Sequence, residues 1–147
     1  MTERDVTFAS MERAEGERFV PLRRRLGVSS FGMNLVILTP GQRGRIHAHA
    51  HQEEVYLVLE GELTLALGPG EQEVLPSGRI VRVGPHVRRQ LINSGAETLV
   101  LLALGAAGEH AGRDGAAWTS WDEPGPGRSP QEVPLPEDLA EDPRHVS

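Results

Sequence analysis

The sequence contains no cysteine and no lysine, and each absence removes a class of chemistry. Without cysteine there are no disulfides, no thiolate nucleophiles and no cysteine-based metal sites. Because all 15 basic residues are arginine, Schiff-base catalysis on a lysine is also excluded. No apolar run approaches the roughly 18 residues that a membrane-spanning helix needs, so no membrane partner is expected.

Length and charge indicate one domain with an acidic end. At 147 residues the chain is long enough for a single hydrophobic core. The net charge is −6, of which residues 122–147 carry −5, so the remainder is close to neutral. This balance argues against nucleic acid as a partner. The N-terminal residues lack the apolar segment of a secretory signal, which predicts a cytoplasmic protein.

An alternating histidine segment is the most informative part of the sequence. His47, His49 and His51 alternate with alanine, and the acidic pair Glu53 and Glu54 follows. Side chains two positions apart in an extended chain point to the same face, so His47 and His49 should lie side by side. Two imidazoles suit a divalent transition metal, and Glu54 from the next strand would complete a set of two histidines and one carboxylate. The alternative is a solvated histidine-rich loop.

Short apolar segments separated by glycine and proline predict an all-β fold. The predicted strands cover residues 31–39, 45–49, 54–60, 62–67, 71–75, 80–83, 88–93 and 98–104. Turn signals such as Pro40-Gly41 and Gly84-Pro85 separate them. Many short strands at this spacing indicate a sandwich or a barrel.

The two ends of the chain differ in composition from this centre. Residues 1–30 are predicted to form an N-terminal arm with an edge segment, 31–106 the β-barrel, and 107–147 a proline-rich, acidic and largely extended C-terminal arm. In the N-terminal arm, the sequence predicts a short helix over residues 10–15 and an extended segment over residues 19–26. The arginine triplet 23–25 predicts a solvated face, with an anion-binding patch as the alternative. Trp118 and Trp121 are expected to dock the C-terminal arm on the barrel or on a second subunit.

The region from Gly41 to Gly61 resembles the first signature motif of the cupin superfamily. That motif consists of a glycine, five residues, His-x-His, three or four residues, a glutamate, six residues and a glycine. Gly41, His47, His49, Glu54 and Gly61 fill all of its fixed positions. The resemblance implies an antiparallel double-sheet jelly-roll barrel. It also implies that His47, His49 and Glu54 hold a divalent metal inside that barrel, with iron, nickel, manganese and zinc as the choices.

The second cupin motif is degenerate in this sequence. Its first glycine and its final residue, Asn93, are kept, but Arg89 stands where the family has its fourth metal ligand, a histidine. A guanidinium has no lone pair to give to a metal. Three arrangements are therefore open. Arg89 pairs with Glu54 in a metal-free pocket, or it holds an anionic substrate beside a three-ligand metal, or it turns outward while His51 or His86 supplies the missing imidazole.

These features support two hypotheses about function. In the first, the chain is a metal-dependent enzyme of oxygenase or isomerase/lyase type, and Arg89 orients a small anionic substrate. Tyr56 shares the face of Glu54 and is a candidate proton donor, although an interior ring with a satisfied hydroxyl is the simpler interpretation. In the second, the barrel is a noncatalytic, metal-free receptor for a small acid, with Arg89 paired to Glu54 or to the ligand. Exposed sheet edges and the tryptophans of the arm predict a homodimer.

Overall fold

The structure, a computed structural model, describes residues 4–106 and 115–139 and is mostly β-strand. The strands are β1 (Phe19–Val20), β2 (Phe31–Leu38), β3 (Ile46–His49), β4 (Glu54–Glu60), β5 (Glu62–Gly68), β6 (Glu71–Pro76), β7 (Ile80–Val83), β8 (Gln90–Ile92), β9 (Leu99–Ala106) and β10 (Gly115–Trp118). Helix α1 (Leu22–Leu26) lies between β1 and β2, and a 3-10 turn covers Pro130–Glu132. No helix in the described ranges has the length and apolar character to cross a membrane.

The strands are arranged in two facing layers. One layer is a five-stranded antiparallel sheet in the order β1-β2-β9-β4-β7. The other combines the sheet β6-β5-β8 with the pair β10-β3, and all of its strand pairs are antiparallel as well. Isolated backbone bridges of Arg43 with Ile92 and of His47 with Arg89 connect β3 to the β8 region. The predicted all-β fold with two antiparallel sheets is confirmed.

The main core lies between the two layers. It takes its side chains from alternate positions of strands in both layers: Val36, Leu38, Tyr56, Val58, Leu63, Leu65, Leu75, Val83, Leu91, Leu99, Leu101 and Ala103. Because side chains alternate along a strand, the inner face of β2 and β4 is formed by their even-numbered residues. Asn34 and Glu54 therefore point to the same interior as Val36 and Tyr56.

The turn between β4 and β5 requires a glycine, which explains the last position of the first motif. Gly61 has φ +74°, a left-handed conformation that side chains other than that of glycine rarely adopt. A Cβ at this position would also lie 2.5 Å from the carbonyl oxygen of Thr98. The glycine thus lets the hairpin pass close to the start of β9.

The N-terminal segment covers the outer face of the five-stranded sheet. Val20 and Leu22 are buried there against Leu35, Ile37 and Val100. The extended segment predicted for residues 19–26 is therefore wrong beyond β1, because burial of Leu22 stabilises a helical turn that ends at Gly27. The helix predicted over residues 10–15 is also wrong: these residues are exposed, and so short a helix is not stable without a buried face.

Part of the C-terminal arm returns to the barrel. β10 pairs with β3 along its whole length, from Gly115 opposite His49 to Trp118 opposite Ile46. Trp118 is buried on Ile46 and Ala48, and Trp121 packs at the side of this cluster. The arm thus contributes a strand and a covering ring to the second layer. Residues 107–114 and 140–147 of the predicted arm lie outside the described residues, and its boundary at residue 107 stays a prediction.

Candidate functional site

Strand β3 presents two histidines to the interior because its opposite face is covered. Ile46 and Ala48 lie beneath Trp118 on the outer face, so alternation turns His47 and His49 inward. The two imidazole rings meet edge to face with their centroids 5.6 Å apart. Nδ1 of His47 lies 3.2 Å from the carbonyl oxygen of Arg45 and donates to it. This bond orients the ring so that Nε2 faces the carboxylate of Glu54.

Glu54, at the start of β4, brings its carboxylate to both histidines. Its Oε1 lies 3.3 Å from Nε2 of His47 and 3.3 Å from Nε2 of His49. The three donor atoms all lie within 4.8 Å of one another. Ligands held about 2.0–2.2 Å from a metal have neighbouring donor atoms about 3.0–3.5 Å apart. The two distances of 3.3 Å therefore match a coordination shell, and the structure brings the three predicted metal ligands together.

The carboxylate of Glu54 is charged at neutral pH despite its burial. Burial alone would raise its pKa, but hydrogen bonds from His47 and His49 and the charges of His47 and Arg89 outweigh that effect. Together they hold the pKa of Glu54 well below its ordinary value. An ionised carboxylate is the form that either a metal or a guanidinium can bind.

Arg89 is completely buried and binds the same carboxylate oxygen as the histidines. Its Nη2 donates to Oε1 of Glu54 at 2.6 Å, and its Nε donates to the hydroxyl oxygen of Tyr56 at 3.1 Å. The Tyr56 hydroxyl in turn donates to Oε1 at 2.5 Å. A further bond from Nη1 to the carbonyl oxygen of Val87, at 2.8 Å, fixes the plane of the guanidinium. Of the three arrangements that the sequence left open, the structure has Arg89 paired with Glu54.

Tyr56 keeps its proton in this network. Burial and the neighbouring charge of Glu54 hold the pKa of Tyr56 well above its ordinary value, in spite of the opposing charge of Arg89. Only 1% of the residue is exposed. The hydroxyl is therefore satisfied by Glu54 and Arg89, and any proton that it supplies passes first to Oε1 of Glu54.

The backbone explains why Arg89 reaches this position. Arg89 and His47 exchange two hydrogen bonds, with N–H to oxygen pairs at 2.9 and 3.0 Å. Residues directly opposite in an antiparallel pair project from the same face. Nearby, the buried side chain of Asn93 donates to the carbonyl oxygens of Leu38 and Glu97, both at 2.8 Å. The second motif thus retains its structural framework although its metal ligand is replaced.

Neither His51 nor His86 supplies a fourth imidazole. Both are exposed, and among the described residues the group able to hold a metal consists of His47, His49 and Glu54. His86 has φ +67°, and its backbone N–H donates to the carbonyl oxygen of His49 at 2.7 Å. The arrangement in which Arg89 turns outward and one of these histidines replaces it is therefore contradicted.

A cavity of about 750 Å³ opens beside the cluster. His49, Gln52 and Glu54 line it at one side, and segment 19–29 lines it at another. Asn34, on the inner face of β2, lies on the wall between them. Sequence analysis missed Gln52 and Asn34, although the two-residue period from Val36 places Asn34 inside. Tyr56 and Arg89 are not on the cavity wall, so the substrate-orienting role of Arg89 stays a prediction.

The donor set fits a divalent metal, and Arg89 makes binding less favourable. Two imidazole nitrogens and an ionised carboxylate form a set that suits iron, nickel, manganese or zinc. The guanidinium lies 2.6 Å from the one carboxylate oxygen that approaches both histidines. An ion held by these residues would compete with the fixed positive charge of Arg89 for that carboxylate, which would weaken its binding.

Comparison with known proteins agrees with the fold. The family described as Cupin domain matches residues 34–105. A sugar phosphate isomerase of the cupin superfamily from Silicibacter pomeroyi is 27% identical, with a TM-score of 0.55 over 60% of this chain and 58% of that one. A proposed sugar phosphate isomerase from Acidithiobacillus ferrooxidans is 30% identical, with a TM-score of 0.55 and the same coverage of 60% and 58%.

A cupin protein from Bacteroides fragilis is similar over more of its length. It is 20% identical with a TM-score of 0.58, and the match covers 81% of this chain and 97% of that one. At this identity the similarity shows the fold alone. No match was found among curated proteins. The chain spans less than two thirds of the two isomerases that it matches, at 58% of each.

Proposed function

We propose that this chain, which matches the cupin family over residues 34–105, is a metal-dependent enzyme that acts on a small anionic substrate. The observation that carries this proposal is the convergence of His47, His49 and Glu54 within 4.8 Å. Two of the three, His49 and Glu54, also line a cavity of about 750 Å³. Pockets for small ligands have volumes of about 300–1,000 Å³, so the cavity has the size that a substrate needs.

His47, His49 and Glu54 would hold the metal, and the residues around them set its surroundings. When bound, the ion supplies a Lewis acid for a substrate oxygen, and iron would add redox chemistry. Arg89 and Tyr56 fix the Glu54 carboxylate by bonds of 2.6 and 2.5 Å to Oε1. Both act through Glu54, since neither lines the cavity. The Tyr56 hydroxyl keeps its proton and orients Oε1 through the bond that it donates, so its role as a proton donor stays a prediction.

Isomerisation of a sugar phosphate is the reaction that we propose to test first. Two similar structures, at 27% and 30% identity, are a sugar phosphate isomerase and a proposed one. A sugar phosphate is a small anionic substrate, and its isomerisation moves protons next to a polarised carbonyl group. A Lewis acid beside an ionised carboxylate suits that chemistry. Oxygenase chemistry at the same ligands is the alternative within this class.

A metal-free receptor for a small acid is the second candidate. The observation that favours it is the bond of 2.6 Å between Arg89 and Glu54, which neutralises the carboxylate without an ion. A buried pair of this kind is satisfied as it stands. In that case the cavity would bind its ligand without catalysis.

Metal content distinguishes the two candidates. The protein is purified without added metal and its metals are measured by mass spectrometry. We expect about one equivalent of iron, nickel, manganese or zinc, lost in His47→Ala because that ligand is removed. The matched control is His51→Ala, an exposed histidine of the same segment, which should retain the metal. A protein free of metal, which also takes up none when Zn²⁺ is added, would support the receptor instead.

We also propose that the protein is a cytoplasmic homodimer. Ile80 and Val74 lie on the edge strands β7 and β6 and are 65% and 55% exposed. Exposed apolar edge residues are suited to pairing with a second chain. Light scattering of the purified protein should give twice the mass of one chain, and a monomer at micromolar concentration would contradict this expectation.

A further inference from the structure

We propose that Arg23 and Arg24 of α1 bind the anionic group of the substrate on the side of the cavity away from β4. This inference rests on the proposed function, since it concerns the same cavity, and it names the residues that select the substrate. Both arginines line the cavity with His49 and Glu54. They belong to an N-terminal segment that precedes residues 34–105, the part matched by the cupin family.

The pairing of β1 places this segment at the cavity. Phe19 lies opposite Val36, so it shares the inner face of the sheet. Pro21 is two residues further on and also lines the cavity. The chain then forms α1 and turns at Gly27, which has φ +72°. The inner surface of the barrel therefore extends past the edge of β2 onto α1.

The charges on the cavity wall favour an anion. Arg23 and Arg24 line it, and Glu54 is the acidic residue on the same wall. The charge of Glu54 is already compensated by Arg89 at 2.6 Å. Within residues 4–106 and 115–139, no carboxylate lies within salt-bridge distance of Arg23 or Arg24. The wall therefore has an excess of positive charge, which attracts a phosphate or a carboxylate.

Arg23 is held in place before any ligand arrives. Its Nε donates to the carbonyl oxygen of Val28 at 3.0 Å, and the Val28 N–H donates back to the carbonyl oxygen of Arg23 at 3.0 Å. This bond uses one of the five N–H groups of the guanidinium. A half-buried, oriented guanidinium loses less freedom on binding an anion than a fully mobile one.

The three arginines of the triplet lie in two different environments. Arg25 does not line the cavity, and its Nη1 donates to the carbonyl oxygens of Ser10 and Glu12 at 2.9 and 2.5 Å. The predicted solvated face thus describes Arg25, while the anion-binding alternative is what we propose for Arg23 and Arg24. The anchor proposed here does not require Arg89, because Arg23 and Arg24 line the cavity and Arg89 does not.

A substrate that fits this arrangement has its reacting group near Glu54 and its anionic group near Arg23 and Arg24, which line the same cavity. Phosphate monoesters of small sugars and short dicarboxylates share this chemistry. The test uses fructose 6-phosphate, succinate and uncharged fructose as probes, titrated by calorimetry at low salt, where charge–charge attraction is least screened. We expect one of the two anions to bind the wild type, and fructose to bind at least about tenfold more weakly.

The variants isolate the two arginines. Arg23→Gln/Arg24→Gln should weaken binding of that anion at least about tenfold, because each charge-assisted bond is lost. Arg25→Gln is the matched control and should stay within about twofold, since it removes an equal charge outside the cavity. Arg24→Gln alone changes an exposed position and keeps the Arg23 bond to Val28. It therefore controls for a loss of binding that is caused by unfolding of α1. It should weaken binding in the same direction.

The outcomes separate this inference from the proposed function. Dependence of the phosphate ester on Arg23 and Arg24 identifies a phosphate anchor, and the same dependence of succinate identifies a carboxylate anchor. Equal binding in wild type and in the double variant, or no binding of either anion to wild type, would overturn the inference. Zn²⁺ binding should be the same in all four proteins. If Zn²⁺ does not bind but the anion dependence holds, the enzyme proposal fails and the anchor stands.

Discussion

The two halves of the candidate site present opposite chemistry on one backbone frame. Strands β3 and β4 contribute electron-pair donors in His47, His49 and Glu54. The segment before β8 contributes a guanidinium, Arg89, directly opposite His47. The backbone bonds between Arg89 and His47 do not depend on the side chain at either position. The comparison shows that the backbone pairing at this position does not require a metal-ligating side chain.

The difference matters because a metal held by His47, His49 and Glu54 would neutralise the carboxylate that Arg89 already neutralises. Oε1 of Glu54 accepts from Arg89 at 2.6 Å and lies 3.3 Å from both histidine nitrogens. A buried cation there stabilises the ionised acid in the absence of a metal. The same cation opposes a divalent ion by Coulomb repulsion. Replacing Arg89 should therefore alter metal affinity, and replacing Glu54 should alter the stability of the fold around buried Arg89.

Removing the acid should have the largest effect. Glu54→Gln leaves Arg89 buried without its charge partner, and breaking a buried pair in this way costs about 3–5 kcal/mol of folding free energy. Denaturant unfolding of the metal-free protein measures this loss. The matched control is Glu53→Gln, which removes an exposed acid that pairs with exposed Arg82. Such a surface pair contributes about 0–1 kcal/mol, and an equal loss in the two variants would show that Arg89 does not need Glu54.

Acid should weaken the same pair. The pKa of Glu54 is lowered by folding, so below the ordinary glutamate pKa of about 4.3 the unfolded chain binds a proton that the folded chain does not. The stabilisation by Glu54 is therefore fully present above that pH and is lost as pH falls through the lowered pKa. Unfolding of the metal-free wild type and of Glu54→Gln/Arg89→Met, measured from pH 7 to pH 3, tests this. The difference in stability should be constant near neutrality and should change in favour of the double variant in acid; a constant difference throughout would contradict the lowered pKa.

Replacing the cation should change metal affinity. Arg89→His removes the opposing charge and places an imidazole at the family position of the fourth ligand, so Zn²⁺ should bind at least about tenfold more tightly. Arg89→Met removes the charge without adding a ligand and should give a smaller gain. Competition titrations of the metal-free proteins with a chelator give both affinities. Unchanged affinity in both variants would mean that Arg89 does not oppose the metal.

The sequence contains enough to predict the strands and the convergence of His47, His49 and Glu54. Both follow from local patterns: a two-residue period, turn residues and the spacing of one motif. Helix α1 and the cavity do not follow in this way, because both depend on contacts between segments far apart in the chain. Leu22 is buried by Leu35 and Val100, residues of two later strands.

The conformation of Arg89 is a second feature that could not be predicted from the sequence. Its presence at the ligand position is visible in the sequence, but three arrangements of its side chain agree with that position. The choice depends on which partners lie within bonding distance after folding. Tyr56 and Glu54 provide an acceptor network for a buried guanidinium, with bonds of 3.1 and 2.6 Å. Burial without those acceptors would be too costly.

Replacing the neighbouring Arg88 should change the protein less than the substitutions above, and it tests whether the inward position of Arg89 matters. Arg88 points to the opposite face, where its guanidinium lies 3.8 Å from the ring centre of Trp118 and donates to the carbonyl oxygen of Glu123 at 2.9 Å. Arg88→Gln should therefore cost about 1 kcal/mol of stability through the arm. It should leave Zn²⁺ affinity within about twofold, because a charge on the solvent side is screened. If Arg88→Gln raised Zn²⁺ affinity as much as Arg89→Met, net charge would govern metal binding, and the inward position of Arg89 would have no special role.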